Sequence, residues 1–230
     1  FLAPIRLAIQ PDVRDLYMPI EGTAHNIALV AIAKRYDGQA VKVAQGLWGA
    51  GQMMFNKYMV VAPSSTNIRS KSEILGLLRE IDFRRDLIWS EGILDVLDHS
   101  APEKGYGAKL AIDLTNIDSS SPRRTITVPK TAHPAGGIQL FNTEFMAEAG
   151  ILILYAEREW RERVDVVEYL TANNITSARY VVVFDHGAAG HMRPSDLLWL
   201  AAANTDPKRD ITLYNETMII DARSKRPGYG

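Results

Sequence analysis

Hydrophobic and polar positions change rhythm along this 230-residue chain, and the changes separate different kinds of element. From residue 26 to 36 the run Asn-Ile-Ala-Leu-Val-Ala-Ile-Ala-Lys-Arg-Tyr is mostly apolar, with Lys34 and Arg35 near its end and Asp37-Gly38 as a stop. Cations in a last turn suit the helix dipole, so this run predicts a helix. Gln39 to Phe55 predicts a second one, because Val41, Ala44, Trp48, Gln52 and Phe55 recur at three- and four-residue steps and share a face. The first 56 residues therefore read as helical.

From Lys57 onward the pattern alternates between strand and helix. Lys57 to Ala62 is a β-rich run ended by Pro63. Ser70 and Glu73 hold a capping-box spacing ahead of the stripe Ile74, Leu77, Leu78 and Ile81, which predicts a helix. Asp86 to Trp89 and Ala108 to Leu114 predict strands, Ser119 to Pro122 a loop, and Thr125 to Val128 another strand, with a break at Gly136-Gly137. In the second half, Gly150 to Glu157 and Arg179 to Asp185 predict strands, and Arg163 to Ala172 a helix closed by Asn173-Asn174. Pro194 opens a helix that turns Leu197, Leu198, Ala201 and Ala202 inward, and Ile211 to Tyr214 and Met218 to Ala222 close the chain as strands. Continuous apolar strands suit a sheet covered on both faces. The expected fold is α/β, a layered mixed sheet with helices, in two related β-α-β units over residues 1–118 and 119–230 that are able to pack as one domain.

The relation between the halves rests on a weak internal repeat. Lys57-Tyr58-Met59-Val60-Val61 aligns with Arg179-Tyr180-Val181-Val182-Val183, Asp82 to Asp86 with Asp206 to Asp210, and Leu94-Asp95 with Ile220-Asp221. The offset drifts by a few residues, which loops absorb cheaply. Two αβ units that each bury a valine strand under an amphipathic helix would also look alike.

Charge and composition exclude more than they assign. Twenty-six basic and 27 acidic residues leave a net charge of −1, and Arg84-Arg85, Arg123-Arg124 and Lys208-Arg209 are short and dispersed, so no nucleic-acid partner is expected. The absence of cysteine removes disulfides, thiol nucleophiles and thiolate metal sites. Ala28 to Ala33 and Ile151 to Ala156 are far shorter than the roughly 18 apolar residues that span a bilayer, and a cytoplasmic location is expected. The opening Phe-Leu-Ala-Pro-Ile-Arg has no signal-peptide pattern and reads as the middle of a longer chain.

Candidate chemistry is sparse. His25, His99, His133, His186 and His191 show no metal-site spacing, and there is no Gly-x-Ser-x-Gly elbow. Gly46-Leu-Trp-Gly49-Ala-Gly51 and Gly105-Tyr-Gly107 lack the order of a dinucleotide fingerprint; the first suits close helix approach and the second a turn. The most polar ordered stretch holds Asp95, Asp98, His99, Lys104, Lys109 and Asp113. Paired carboxylates there could do acid–base work, or Asp95 and Asp98 could cap turns and pair with Lys109 or Arg85.

Taken in order, Leu47-Trp48-Gly49, Gly51-Gln52-Met53-Met54-Phe55-Asn56-Lys57-Tyr58-Met59-Val60-Val61, Arg85-Asp86, Leu97-Asp98-His99 and Gly105 to Thr115 resemble the carboxyl-terminal part of UbiD-like decarboxylases. Leu198-Trp199, Asp206-Pro207-Lys208-Arg209-Asp210 and Ile220 to Lys225 look like the same elements again, more loosely. The resemblance implies a parent carboxy-lyase, of the kind found in quinone biosynthesis, acting on an aromatic or unsaturated acid. Prenylated FMN, a divalent metal such as manganese, and potassium would serve that parent. It also implies an upstream flavin-binding domain as partner, a homo-oligomer, and membrane proximity only through a lipophilic substrate. The family's catalytic glutamates, arginine and metal ligands lie upstream of the matched region, so no catalytic or metal residue is carried over and the chain alone is expected to be inactive. Lys57 is the one position carried over, near the cofactor phosphate, where an ammonium at a strand end would suit an anion. The family's acidic turn after the valine strand is absent in the first unit, which reads Ala62-Pro63-Ser64-Ser65, and only Asp185 keeps it in the second. Two other readings stay open: a free-standing α/β interaction module, and a small enzyme built on Asp95, Asp98 and Lys109.

Overall fold

The computed structural model describes residues 2–22, 25–117, 122–156, 164–189 and 192–225. Most of the loop expected at Ser119 to Pro122, the ends Glu157 and Arg163, and His191 fall outside these residues.

Among the described residues, ten strands form two five-stranded sheets with the same order, β1-β2-β3-β5-β4 and β6-β7-β8-β10-β9. In the first, β1 (Val13–Tyr17) runs antiparallel to β2 (Ile27–Ile32), β2, β3 (Tyr58–Pro63) and β5 (Tyr106–Asp113) are parallel, and β4 (Leu87–Ile93) closes the edge antiparallel to β5. The second repeats this with β6 (Ile138–Asn142), β7 (Ile151–Ala156), β8 (Tyr180–Asp185), β10 (Thr217–Asp221) and β9 (Ile211–Tyr214). The α/β fold and the kinship of the two units are thus written in the topology. Register refines the repeat: Leu110 to Asp113 face Tyr58 to Val61 as Met218 to Asp221 face Tyr180 to Val183. Ile112-Asp113, rather than Leu94-Asp95, is therefore the counterpart of Ile220-Asp221.

Alternation along the central strands divides the core. Ala28, Val30 and Ile32 of β2, with Met59, Val61 and Ala111, face the helix Gln39–Trp48 through Ala40, Val43, Ala44, Leu47 and Trp48. On the other sheet, Leu152, Leu154 and Ala156 face the helix Val166–Ala172 through Val166, Tyr169 and Leu170. Helices Lys71–Leu78 and Pro194–Asn204 form the layer between the sheets. Ile74 and Ala202 pack with Ile27, Leu29 and Ala31 of the first sheet, whereas Leu75, Leu197 and Leu200 pack with Ile153 and Phe184 of the second.

Several expectations are corrected. Within residues 26 to 36, Ile27–Ile32 form a strand, not a helix: all six residues of β2 are buried between β1 and β3 with both faces covered, so their unbroken apolarity reflects two-sided burial. Lys34 and Arg35 belong to the following loop. The long helix expected to Phe55 ends at Trp48, and Gly51–Phe55 is a separate 3-10 turn; Val41 is exposed while Val43 and Leu47 are buried. Thr125 to Val128 is not a strand, because the Thr127 backbone bonds both ways to the Ser177 hydroxyl (2.9 and 3.3 Å) instead of joining a ladder. Val13–Tyr17, within the first 56 residues read as helical, is the edge strand β1, held there by its antiparallel pairing with β2, and the other edge strand, β6, was not among the expected strands.

The helix start at Ser70 is as expected, its side chain accepting from the Glu73 amide at 3.4 Å. Asn174 after the helix Val166–Ala172 takes φ 52°, the left-handed turn that asparagine tolerates.

Candidate functional site

The densest buried polar cluster lies where the two units meet, at the amino ends of β3 and β5. Lys57 immediately precedes β3 and is wholly buried. Its Nζ lies 2.7 Å from Asp98 Oδ2, itself buried, and donates to Ser100 Oγ at 2.8 Å. Asp98 Oδ1 accepts from the Ser100 amide (3.0 Å) and hydroxyl (2.7 Å), which fixes the turn after β4. Ser100 Oγ also reaches the Thr205 carbonyl of the second unit at 3.0 Å. Tyr58 hydrogen-bonds the Thr205 hydroxyl at 2.5 Å, and the Ala108 amide donates to Asp206 Oδ2 at 2.9 Å. Gly107 is needed for that approach, since a Cβ there would sit 2.9 Å from Asp206 Oδ2 and 2.8 Å from Leu94 Cδ1.

Burial pulls the Lys57 ammonium below the usual lysine range, against the pull of Asp98 and the more remote Asp206 and Asp210. Lys57 and Asp98 form an internal ion pair beside the lysine–serine hydrogen bond: the carboxylate opposes the ammonium, and both side chains are sealed from solvent. A phosphate oxygen could approach Nζ only by displacing Asp98.

Lys109 lies close by. Its Nζ donates to the carbonyls of Met54 (2.7 Å) and Asn56 (2.6 Å) and lies over the Trp48 ring. Burial, with the Lys57 charge adding to it and Asp98 opposing, brings its pKa from 10.5 down to about 8. Between those values the unfolded chain holds the proton that the folded chain has released. Stability from this group therefore rises as pH climbs from about 8 toward 10.5. Urea unfolding across pH 7.5 to 10 is expected to show a stability slope more positive in wild type than in Lys109→Met, by the share that Lys109 contributes; identical slopes would refute it.

Asp95 and Asp98 do cap turns, yet neither pairs with Lys109 or Arg85. Asp95 accepts from the Leu97 amide at 2.9 Å and lies 3.4 Å from His25 Nδ1, while Arg85 holds Asp86 at 2.7 Å. Burial alone would raise the Asp86 carboxyl, but Arg85, the Asp82 amide and Asn116 more than reverse that and hold it below the usual range. The histidines are scattered: His99 meets Asn204 at 3.2 Å, His186 stacks on Tyr155, and the His133 amide bonds Asn173. Among the described residues no three histidine, aspartate or glutamate side chains come together as a metal site. No helix there is long and apolar enough to cross a membrane.

The Asp-x-x-Arg-Asp motif closes the same knot twice. The Asp82 amide bonds Asp86 and the Asp206 amide bonds Asp210, both at 2.8 Å, and Arg85 and Arg209 each pair with the aspartate that follows. Residues that sequence reasoning passed over, Tyr58, Tyr180 and Thr205, join the units. Their one visible signal was the basic-residue–tyrosine pair at the head of each valine strand.

Residues 1–114 match the family model of the 3-octaprenyl-4-hydroxybenzoate carboxy-lyase C-terminal domain. Over these residues the chain is UbiD-like, similar to that C-terminal domain. An uncharacterized Helicobacter pylori protein (strain J99) is 28% identical over 96% of the chain, which spans 37% of that protein. An uncharacterized Aquifex aeolicus protein is 42% identical over 46% of the chain and 22% of its own length. The chain thus spans little more than a third of the longer relative it matches end to end. The UbiD-class enzyme HmfF from Pelotomaculum thermopropionicum, solved with FMN, is similar over 56% of this chain and 29% of its own, at 23% identity and a TM-score of 0.46. The UbiD C-terminal domain match ends where the first sheet ends, and Aquifex aeolicus shares about the same share of sequence. The second sheet lies beyond the match.

Proposed function

We propose that the chain is the carboxyl-terminal, non-catalytic part of a UbiD-like carboxy-lyase, where it supports the flavin-bearing part and its assembly. The match of residues 1–114 to the carboxy-lyase C-terminal domain carries this reading. The greater length of the relatives supports it, because it leaves room for a reactive centre elsewhere in such a protein. The substrate class would be an aromatic or unsaturated acid, and the parent's cofactor prenylated FMN with manganese and potassium.

Among the described residues, those around Lys57 leave no seat for that cofactor's phosphate. Lys57 is the candidate phosphate ligand, and its ammonium already faces Asp98 and Ser100 in a closed interior. In this reading Lys57 shapes the loop that a neighbouring flavin domain would meet.

The test is direct. The purified 230-residue chain, mixed with FMN or prenylated FMN and manganese, is expected to retain no flavin on gel filtration and to release no carbon dioxide from 4-hydroxybenzoate. Stoichiometric flavin retention, or turnover, would overturn the proposal.

A further inference from the structure

The contacts between the two units are reciprocal. Tyr58, at the head of β3, reaches Thr205, just past the end of the helix Pro194–Asn204. Its counterpart Tyr180, at the head of β8, donates to the Leu78 carbonyl at 2.8 Å, the end of the helix Lys71–Leu78. Before Tyr58 stands Lys57, linked through Ser100 to the Thr205 carbonyl; before Tyr180 stands Arg179, which donates to the Ile81 carbonyl. Thr205 and Ile81 each directly precede the first aspartate of an Asp-x-x-Arg-Asp knot. The helices follow the same rule: Pro194–Asn204 packs on the turn Ile20–Gly22 of the first unit, and Lys71–Leu78 on the turn Met146–Ala149 of the second. Residue i of one unit meets residue j of the other, and j meets i, which is the signature of an isologous, twofold interface.

What the repeats share in sequence is concentrated there. The basic residue and tyrosine heading the valine strand, and the Asp-x-x-Arg-Asp knot, recur in both units. The outer helices, which pack on their own sheets, share no such pattern: Gln-Ala-Val-Lys-Val-Ala-Gln-Gly-Leu-Trp against Val-Val-Glu-Tyr-Leu-Thr-Ala. Buried charge adds to the fit, since Arg179, 4% exposed, finds its partners at Ile81 and Glu216 and lies over the Phe83 ring of the first unit.

We propose that residues 122–225 serve as a built-in partner for residues 2–117. They occupy, across a pseudo-twofold axis, the surface by which a unit of this kind pairs with another like itself. The chain is then an intramolecular dimer, and the partner fitting the inner face of the first unit is a second such unit, supplied in cis. This stands apart from any role in decarboxylation.

The experiment keeps the whole chain. A protease recognition site is inserted between Ile117 and Pro122, the folded protein is cleaved, and the products are sized at falling concentration. The halves are expected to co-elute as a 1:1 species with the mass of the uncut chain. With Tyr58→Phe and Arg179→Met combined, one contact removed from each side, the cleaved halves are expected to separate at a concentration at least tenfold higher. Val43→Ala, on the buried face of the outer helix of the first unit, serves as control: it should lower the melting temperature and leave the halves together. Cleaved wild-type halves that elute apart while circular dichroism shows both still folded would overturn the proposal. So would a Tyr58→Phe/Arg179→Met pair that holds together as well as the Val43→Ala control.

Discussion

Lys57→Met is expected to destabilise the chain by about 3–5 kcal/mol, because it leaves the Asp98 carboxylate buried without its counter-ion. The double variant Lys57→Met/Asp98→Leu is expected to recover most of that loss, since a buried pair exchanged for apolar side chains is often neutral. In a chain of this size each kcal/mol shifts the melting temperature by roughly 2–4 °C, so calorimetry resolves the difference easily. A single variant that loses less than about 1 kcal/mol, or a double variant no better than the single, would show that the pair is not the element that matters. The same variants separate the two roles of Lys57 in a flavin-loaded parent. As a phosphate ligand, Lys57→Met would weaken flavin binding and Asp98→Leu would free the ammonium and strengthen it. As an internal counter-ion, both would act on stability and leave flavin affinity alone.

The second large effect separates two residues with the same place in the repeat. Asp206 is buried and its carboxylate receives three backbone amides, from Lys208 at 3.0 Å, Arg209 at 3.1 Å and, across the unit boundary, Ala108 at 2.9 Å. Asp82 is exposed and receives one side-chain bond of this kind, from the Arg84 amide at 2.9 Å. Asp206→Ala strands three amides, two of them in the cap of a helical turn and one in a strand. A loss of about 3–5 kcal/mol follows, since each buried unsatisfied donor costs roughly 1–3 kcal/mol. Asp82→Ala loses only a turn cap, about 1 kcal/mol. Urea unfolding of the two variants checks the ratio. Equal losses would mean that the Ala108 contact and the burial around Asp206 contribute little.

Where the sequence was legible, a local rule and the tertiary environment agreed. The valine strands β3 and β8, the Ser70 start and the start of the Pro194 helix all follow from nearest neighbours, although Leu198, expected on that helix's inner face, is exposed because the helix buries Leu197 and Ala202 instead. Where they disagreed, environment won. Residues 27 to 32 carry an apolar run that a helix or a doubly covered strand could use equally well, and only the presence of strands on either side decides between them. Strands β1 and β6 are short, lie at sheet edges and carry mixed side chains, so little in their own composition marks them. The site was legible in part. Lys57 and Asp98 were both singled out, yet their pairing depends on a loop that folds back across many residues. Asp98 was matched with Lys109 on proximity in sequence, whereas Lys109 spends its ammonium on two backbone carbonyls. The repeat was visible because the tyrosine heading each valine strand and the Asp-x-x-Arg-Asp knot recur in both units while the loops between them differ.

The layer of two helices shared by both sheets has a consequence for how damage spreads. Leu75 belongs by sequence to the first half, yet it seals Phe145, Ile153 and Phe184 in the second. Ala202 does the converse for Ile27 and Leu29. Neither half owns a finished interior. A lesion in one of these helices loosens the sheet on the far side as well as its own, so the two repeats are expected to unfold together in one cooperative transition.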